Sequence, residues 1–427
     1  MSDLPPLPAS ADVVIIGGGI IGASTALFLS QRGVRVVLCE KGRIGGEQSS
    51  RNWGWTRIMG RDLAEIPLGL ESLRLWSEMN AITGAETGWR RCGIVNLCMT
   101  EAELSQQETW LEQARGHQIS SRVIRPAEFA DLLPGMAARP VGALHTPGDG
   151  RAEPAQATEA IARAAEAAGA VVLTGCAVRG LDRAGGRVAG VITERGRIAA
   201  SQVVLAGGAW SRLFAGNAGI DLPSLNILGS VLRTKPLAGL PEVTVGGGRL
   251  AIRKRLDGGF TIAQRNSSIS DITPDSFRQF RTFLPSLASG WRELRLRVGP
   301  AFLDAWRTRR QWRMDEVTPF EEIRVLDPKP SARVLAQART VAVAAFPGFA
   351  AMEVAQSWGG LMDVTPDAVP VISDVAALPG LFLATGFSGH GFGIGPGAGR
   401  LMADLVMGRA PVVDPRVFRF SRFAARA

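Results

Sequence analysis

The sequence is poor in the residues that build metal centres and covalent relays. It holds three histidines (His117, His145 and His390) and four cysteines (Cys39, Cys92, Cys98 and Cys176). Neither set has metal-ligand spacing, so no metal site and no iron–sulfur module is expected, and no Ser-His-Asp arrangement is readable. Cys39 closes an apolar run and is expected simply to pack. Tyrosine is absent. No uninterrupted apolar run reaches about 18 residues, which argues against a transmembrane helix. Residues 1–11 (MSDLPPLPASA) lack the basic start and apolar stretch of a secretory signal and read as a short disordered lead. With no disulfide framework, a reducing cytoplasm is the expected compartment. Lysine is scarce: the basic residues are nearly all arginine, and the net charge is +9. Such a balance can draw in anions, membranes or nucleic acid. No nucleic-acid module is present, so an arginine-rich coding bias is the simpler account and no nucleic-acid partner is expected. No long repeat or low-complexity segment occurs.

At 427 residues, 46% hydrophobic and with 51 glycines, the chain fits a globular α/β protein of two domains. Its best-defined stretch is residues 12–40: an apolar run Val13-Val14-Ile15-Ile16, then Gly17-Gly18-Gly19-Ile20-Ile21-Gly22, a helical run to Gly33, a second apolar run, and Glu40. Gly17 permits the tight turn, Gly19 lets backbone approach a pyrophosphate, and Gly22 lets helix pack on strand. The helix N-terminus favours phosphate charge, and an acid ending the second strand can bind ribose hydroxyls.

Downstream, residues 41–61 read as a loop rich in small residues, and 63–79 as a helix with Ile66, Leu70, Leu73 and Trp76 on one face. A strand is expected within 89–99, and helices over 101–115 and 127–133. The stretch His145–Arg151 is a turn. Pro154 opens an Ala-rich helix ending at Gly169, and a strand runs from Val171 to Val178. A hairpin follows over 187–198, then the strand ending Ala206-Gly207-Gly208-Ala209-Trp210-Ser211 in small residues. Leu250–Lys254 and Gly259–Ala263 form a second hairpin across Asp257-Gly258. Residues 275–313 read as a basic helical pair interleaving Phe277, Phe280, Phe283, Trp291, Phe302, Trp306 and Trp312 with nine arginines. Packing of the aromatics on a sheet is the plain reading; docking on an anionic membrane where a quinone is reduced is the functional one. Near the end come Leu381–Thr385 as a strand, Gly386-Phe387-Ser388-Gly389-His390-Gly391-Phe392, and a helix from Pro396 to about Met407.

These pieces resemble the flavin-dependent amine oxidoreductases, the group of D-amino-acid oxidases, glycine oxidase and sarcosine oxidase. The GGGIIG turn with Glu40, the Ser49-Ser50-Arg51-Asn52 loop, the Ala206–Ser211 strand end, Thr365-Pro366-Asp367 and GFSGHGFGIGP carry the likeness in order. The resemblance implies FAD and an α/β fold: a three-layer Rossmann-like FAD-binding domain (1–80, 150–220 and 350–427) with a discontinuous antiparallel-sheet substrate domain (81–149 and 221–349). It implies that Gly17, Gly19 and Gly22 meet the pyrophosphate and Glu40 the ribose. Lys41 and Val178 fall at the adenine end, and Ser49, Ser50 and Asn52 at the pyrophosphate or ring edge. Gly389, His390, Gly391 and Phe392 fall beside the pyrimidine side of the ring. Ile20, Ile21, Arg51, Gly54, Ala206, Gly207, Trp210 and Gly386 surround the cofactor. Some relatives attach FAD through a late Cys or an early His; here the last cysteine is Cys176 and the first histidine His117, so FAD is expected to be non-covalent.

The family reaction moves a hydride from the carbon beside an amine to flavin N5, and the imine then hydrolyses. Positioning is the expected catalytic contribution. Amino-acid-oxidising relatives carry an Arg in WxGLRP that clamps the substrate carboxylate. This chain has Met362-Asp363 there, so Arg57, Arg61 and Arg253 are the candidate replacements, with Met362 and His390 beside the reacting end. Trp53 and Trp55 are candidate walls. Asp363 is expected to face water in a turn. The expected substrate is an amine or an N-substituted or D-amino acid, and the acceptor O2 or a quinone. The competing readings are a 2-hydroxy-acid dehydrogenase on the same fold and an electron-passing flavoprotein subunit of a hetero-oligomer.

Overall fold

A computed structural model describes residues 6–290 and 295–426. Its centre is a six-stranded sheet in the order Val371–Asp374, Leu381–Thr385, Gln202–Leu205, Val13–Ile16, Val36–Cys39, Val171–Leu173, parallel except for the first strand. Parallel strands covered on both faces need continuous apolar runs, and VVII and VVLC supply them. Successive side chains point to opposite faces. Val13 and Ile15 meet a helical layer, whereas Val14 and Ile16 meet a second sheet. The helical layer is Ile20–Ser30, Ile66–Thr83, Pro154–Ala167 and Gly391–Val406. The second sheet has three antiparallel strands, Val178–Ala184, Arg187–Thr193 and Gly196–Ala199. Three layers result.

A larger, mostly antiparallel sheet stands over this body. Its backbone is Leu225–Thr234, Phe260–Gln264, Leu250–Lys254, Thr244–Gly247, Ile94–Cys98 and Gly142–Thr146. Alternation again divides its faces. Leu232, Ile252 and Ile262 pack under helix Ala332–Ala345, while Val231, Ala251 and Ala263 turn toward Trp53, Trp55 and Trp358. The long strand Val354–Val364 runs antiparallel to Leu225–Thr234, with Ile227 opposite Met362, and ends in a bridge from Val364 to Phe387. It therefore carries the chain from the large sheet to the central one.

Several local expectations are corrected. The strand expected from Val171 to Val178 is two strands: it stops at Leu173, Gly175 turns with φ +57°, and Val178 opens the neighbouring sheet. Residues 41–61 contain a helical turn, Gln48–Arg51, and a short strand, Trp55–Thr56, paired with Gly150–Arg151. The last helix begins at Gly391, so Pro396 lies inside it; beside it Gly397 N–H donates to Ser72 Oγ, and Gly393 C=O accepts from Ser72 Oγ and Trp76 Nε1 in its place. Residues 275–313 are not one helical pair but Pro274–Arg278, Phe280–Gly290, a strand Arg295–Arg297 and Pro300–Arg307. Trp312 is buried, whereas Trp291 lies outside the described residues. The lead is partly docked, since Ala11 N–H donates to Ala199 C=O at 2.9 Å. Asp363 does not face water: it is buried and accepts from Thr385 Oγ1 at 2.9 Å and from Gly386 N–H, holding the turn before the last helix.

Candidate active site

A groove of about 1210 Å³ runs over the C-terminal ends of the central strands, the position where open α/β sheets bind ligands. Gly17 turns there with φ +112°, and a Cβ on it would sit 2.4 Å from Ala206 C=O. Both carboxylate oxygens of Glu40 accept from main chain, Gly18 N–H and Gly42 N–H, each at 2.7 Å. Burial pushes this carboxyl above its ordinary range against those two hydrogen bonds. Ser49 Oγ accepts from Ile20 N–H at 2.9 Å, fixing the 49–52 loop against the helix start.

At one end of the groove Lys41 Nζ pairs with Glu47 at 2.7 Å and lies 4.5 Å over the Trp210 ring. Trp210 Nε1 and Leu326 N–H also donate to Glu47. At the other end lie Met362, Gly389, Gly391 and Phe392. Ile20, Ile21, Asn52, Val178, Ala206 and Gly207 also line the groove. The donor set suits a dinucleotide: main-chain N–H groups at a helix start, one buried carboxylate, and Gln48 Oε1 buried with no partner.

A second cavity, about 1600 Å³ including its mouth, meets the groove at Gln48, Asn52, Met362, Gly389 and Phe392. Its floor includes Trp53 and Trp55, and its far wall Ile227, Val231 and the stretch Gln264–Ser268 from the large sheet. Arg57, Arg61, Arg265 and Arg51 line it, and no carboxylate does among the described residues. Burial, then Arg61 and Arg265, lower Arg57 to about 9, so its guanidinium stays charged at neutral pH. Arg61 is held by Arg57 C=O (2.7 Å), Glu65 (3.3 Å) and His390 C=O (3.4 Å). Burial, then Arg61 and Arg57, hold His390 well below the usual imidazole range, which leaves the ring neutral; its Nδ1 is 3.7 Å from Glu65.

The expected site residues divide accordingly. Arg57, Arg61, Met362 and His390 converge on the second cavity, and Trp53 and Trp55 wall it. Ser50 and Arg51 turn away from the groove: Ser50 lines a third, polar cavity, and Arg51 pairs with Asp327 at 2.8 Å. Gly54 and Gly386 shape turns, with φ +76° and +73°, and border neither cavity. Arg253 is the clear departure. Its guanidinium runs beneath Gly54 to Glu153 (2.8 Å) and Thr261 (3.1 Å), lines none of the three cavities, and is only 1% exposed. Breaking a buried pair costs about 3–5 kcal/mol, and Arg255 stays 3.0 Å from Glu153 to soften the loss. Arg253→Met is therefore expected to lower the Tm in thermal unfolding by several degrees and to leave KM unchanged; a raised KM with unchanged Tm would return Arg253 to the site. Glu47, Gln48, Arg265 and Asn266 were not singled out by sequence reasoning. Asn266 adopts φ +51°, a turn just past the second hairpin, and only that hairpin's position hinted at Arg265.

A dinucleotide groove on a three-layer α/β body, opening into a cationic cavity beneath an antiparallel sheet, is the arrangement of a flavin-dependent oxidoreductase. Residues 12–405 match the family of FAD dependent oxidoreductases designated DAO, and the chain belongs to that family. It is similar to L-amino acid deaminase from Proteus myxofaciens, solved with anthranilate: TM-score 0.95, 34% identity, covering 99% of this chain and 96% of that one. It is 26% identical to 4-methylaminobutanoate oxidase (formaldehyde-forming) of Paenarthrobacter nicotinovorans, over 98% of this chain and 46% of that protein. Glycine oxidase of Pseudomonas aeruginosa is 27% identical, over 95% of this chain and 97% of that protein. The chain thus spans about half the length of the first of these curated relatives and nearly all of the second. FAD is the family cofactor. Of the four cysteines only Cys39 borders the groove, so acid precipitation is expected to release all flavin into the supernatant; flavin retained in the pellet would mean a covalent bond.

Proposed function

We propose that the chain oxidises the C–N bond of an amino acid, α-amino or N-substituted, whose carboxylate lies against Arg57. The observation that carries this reading is the second cavity: it is cationic, holds no carboxylate among its described lining residues, and meets the groove at Met362 and Gly389. Bound FAD supplies the hydride acceptor. The protein contributes the rest by placement. Arg57 binds the carboxylate, with Arg61 bracing the loop that bears it. Trp53 and Trp55 exclude water along one side of the substrate. His390, neutral and on the same cavity, adds no charge beside the amine, which gives its proton to water and is uncharged when its neighbouring carbon loses hydride. The imine that leaves is hydrolysed by water. Met362 occupies the strand position of the usual clamp, and its thioether can only pack.

The division into an FAD-binding domain (1–80, 150–220, 350–427) and a substrate domain (81–149, 221–349) belongs to this proposal. Sheet membership supports it, with strand Val354–Val364 shared through its pairing with the large sheet.

The test is anaerobic flavin reduction by a panel of L- and D-amino acids, N-methyl amino acids, opines, simple amines and 2-hydroxy acids. Bleaching by carboxylate-bearing amines is the expected result; bleaching by hydroxy acids alone would sink the reading. Peroxide yield on readmitting air separates O2 from a quinone as acceptor.

We further propose that the face formed by Pro274–Arg278, Phe280–Gly290 and Pro300–Arg307 rests on an anionic membrane. Phe277, Phe280, Leu303 and Trp306 are more than half exposed, and Arg278, Arg281 and Arg307 accompany them. No described helix is long and apolar enough to cross a membrane. Such a surface docks by combining apolar insertion with charge. Flotation with anionic but not zwitterionic vesicles is expected, and Phe277→Ser with Trp306→Ser should abolish it; equal flotation with both vesicle types would count against the proposal.

A further inference from the structure

We infer that Asp149 is the positioning residue for Arg57, fixing the main chain that carries the cation of the second cavity. The inference rests on the carboxylate-binding reading above. The stretch expected as a turn over His145–Arg151 is a tight turn at Pro147-Gly148 between strands Gly142–Thr146 and Gly150–Arg151, and Asp149, which follows that turn, is fully buried. Its Oδ1 accepts from Ile58 N–H at 2.9 Å and its Oδ2 from Met59 N–H at 3.2 Å. Those are the two residues directly after Arg57. The two residues directly before it, Trp55 and Thr56, pair with Arg151 and Gly150. The Arg57 guanidinium then reaches back to Met59 C=O. The main chain at 55–56 and at 58–59 is therefore anchored on residues 149–151, while Arg57 C=O itself accepts from Arg61 Nε.

That segment is itself tied to the large sheet. Asp149 N–H donates to Thr146 C=O at 3.2 Å, and Asp149 C=O accepts from Gly93 N–H at 3.0 Å. One turn thus sets where the cation of the cavity stands relative to the groove below. A carboxylate is an expensive choice for such a clasp, because burying it costs far more than burying a neutral acceptor. Burial pushes this carboxyl up to about 7 although both main-chain hydrogen bonds, Arg57 and Arg61 pull it down. What a carboxylate gains over an amide, once ionised above about pH 7, is two equivalent acceptors for two consecutive N–H groups, which an asparagine side chain cannot match.

The test uses the FAD-loaded chain and four proteins: wild type, Asp149→Asn, Arg57→Ala and the double variant. Benzoate is the carboxylate probe, read by perturbation of the flavin spectrum, and FAD content is measured alongside. Asp149→Asn is expected to weaken benzoate binding by about tenfold, a loss of about 1.4 kcal/mol. It should raise KM in parallel, with kcat little changed and FAD stoichiometric. In the Arg57→Ala background the same change should move benzoate binding less than about twofold, because its effect passes through Arg57. Unchanged binding in Asp149→Asn, or an equal loss in both backgrounds, overturns the inference. Asp149→Ser, smaller and with one acceptor, is the second variant; if both variants lose FAD or fail to fold, the residue serves the fold and the inference is overturned. If benzoate behaves as expected but no amine bleaches the wild-type flavin, the oxidation reading fails while the role of Asp149 stands.

Discussion

Arg57→Ala is expected to raise the KM of an amino acid substrate by about two orders of magnitude and to leave the Tm unchanged or higher. Truncating one partner of a buried, hydrogen-bonded charge pair costs about 2–5 kcal/mol, and the other arginines of the cavity keep the loss toward the lower end. The stability half of the expectation has an independent cause. Burial and two like charges lower the Arg57 pKa from its ordinary value to about 9, so the folded state disfavours the charged guanidinium. A cation whose folded pKa is depressed weighs against the fold below that pKa, and the penalty fades as pH rises through 9 toward the unfolded value. Alanine removes the penalty along with the binding. Arg57→Lys keeps a charge but not the planar fork and should fall between the two. Steady-state kinetics with amino acids and with amines lacking a carboxylate checks the claim. An equal KM increase for both substrate types would mean that Arg57 shapes the cavity rather than holding a carboxylate.

Gly22→Ala is expected to yield a chain without flavin. A Cβ at residue 22 would stand 2.0 Å from Gly17 C=O and 3.3 Å from Ile15 Cγ2. Neither neighbour can yield, because Gly17 is fixed by its N–H bond to Cys39 C=O and Ile15 sits mid-strand in the sheet. Helix Ile20–Ser30 must therefore lift from the turn, which withdraws from the groove the N–H groups of its first turn, the donors expected to meet the cofactor phosphates. Overpacking of this kind costs about 1–3 kcal/mol even where side chains can adjust. Gly33→Ala is the control: nothing lies within 4 Å of its Cβ, and only the φ of +78° is strained. It should lose about 1 kcal/mol and keep its FAD. The flavin absorbance of the two purified variants, set beside thermal unfolding, decides. A fully loaded Gly22→Ala chain would show that the helix tolerates the shift.

The cofactor half of the site was legible in the sequence because its parts are neighbours in the chain. Strand, glycine turn, helix, strand and acid follow one another within residues 12–40, and each is set by contacts a few residues away. The second hairpin and the helix Pro154–Ala167 were legible for the same reason. Pro396 misled because a proline usually opens a helix, whereas here hydrogen bonds from Ser72 and Trp76 to Gly393 help seat the segment before it. Asp363 misled because a carboxylate just ahead of a Thr-Pro-Asp turn usually faces water, whereas here it lies buried near the end of strand Val354–Val364 and its Oδ2 accepts from Thr385 Oγ1 and Gly386 N–H.

By itself, then, the sequence determined the central parallel sheet and a dinucleotide groove over it, both of which depend on local period and turn chemistry; FAD in particular followed from the resemblance carried by the order of several motifs along the chain. The tertiary structure alone decided the substrate side. Met362 reaches Ile227 only through strand pairing, Asp149 reaches Met59 across 90 positions, and Arg253 is drawn out of the site by Glu153. Among several candidate arginines, burial and partner geometry chose the ones that share a cavity. No periodicity encodes that choice, because it is made between segments that meet only once the large sheet has formed.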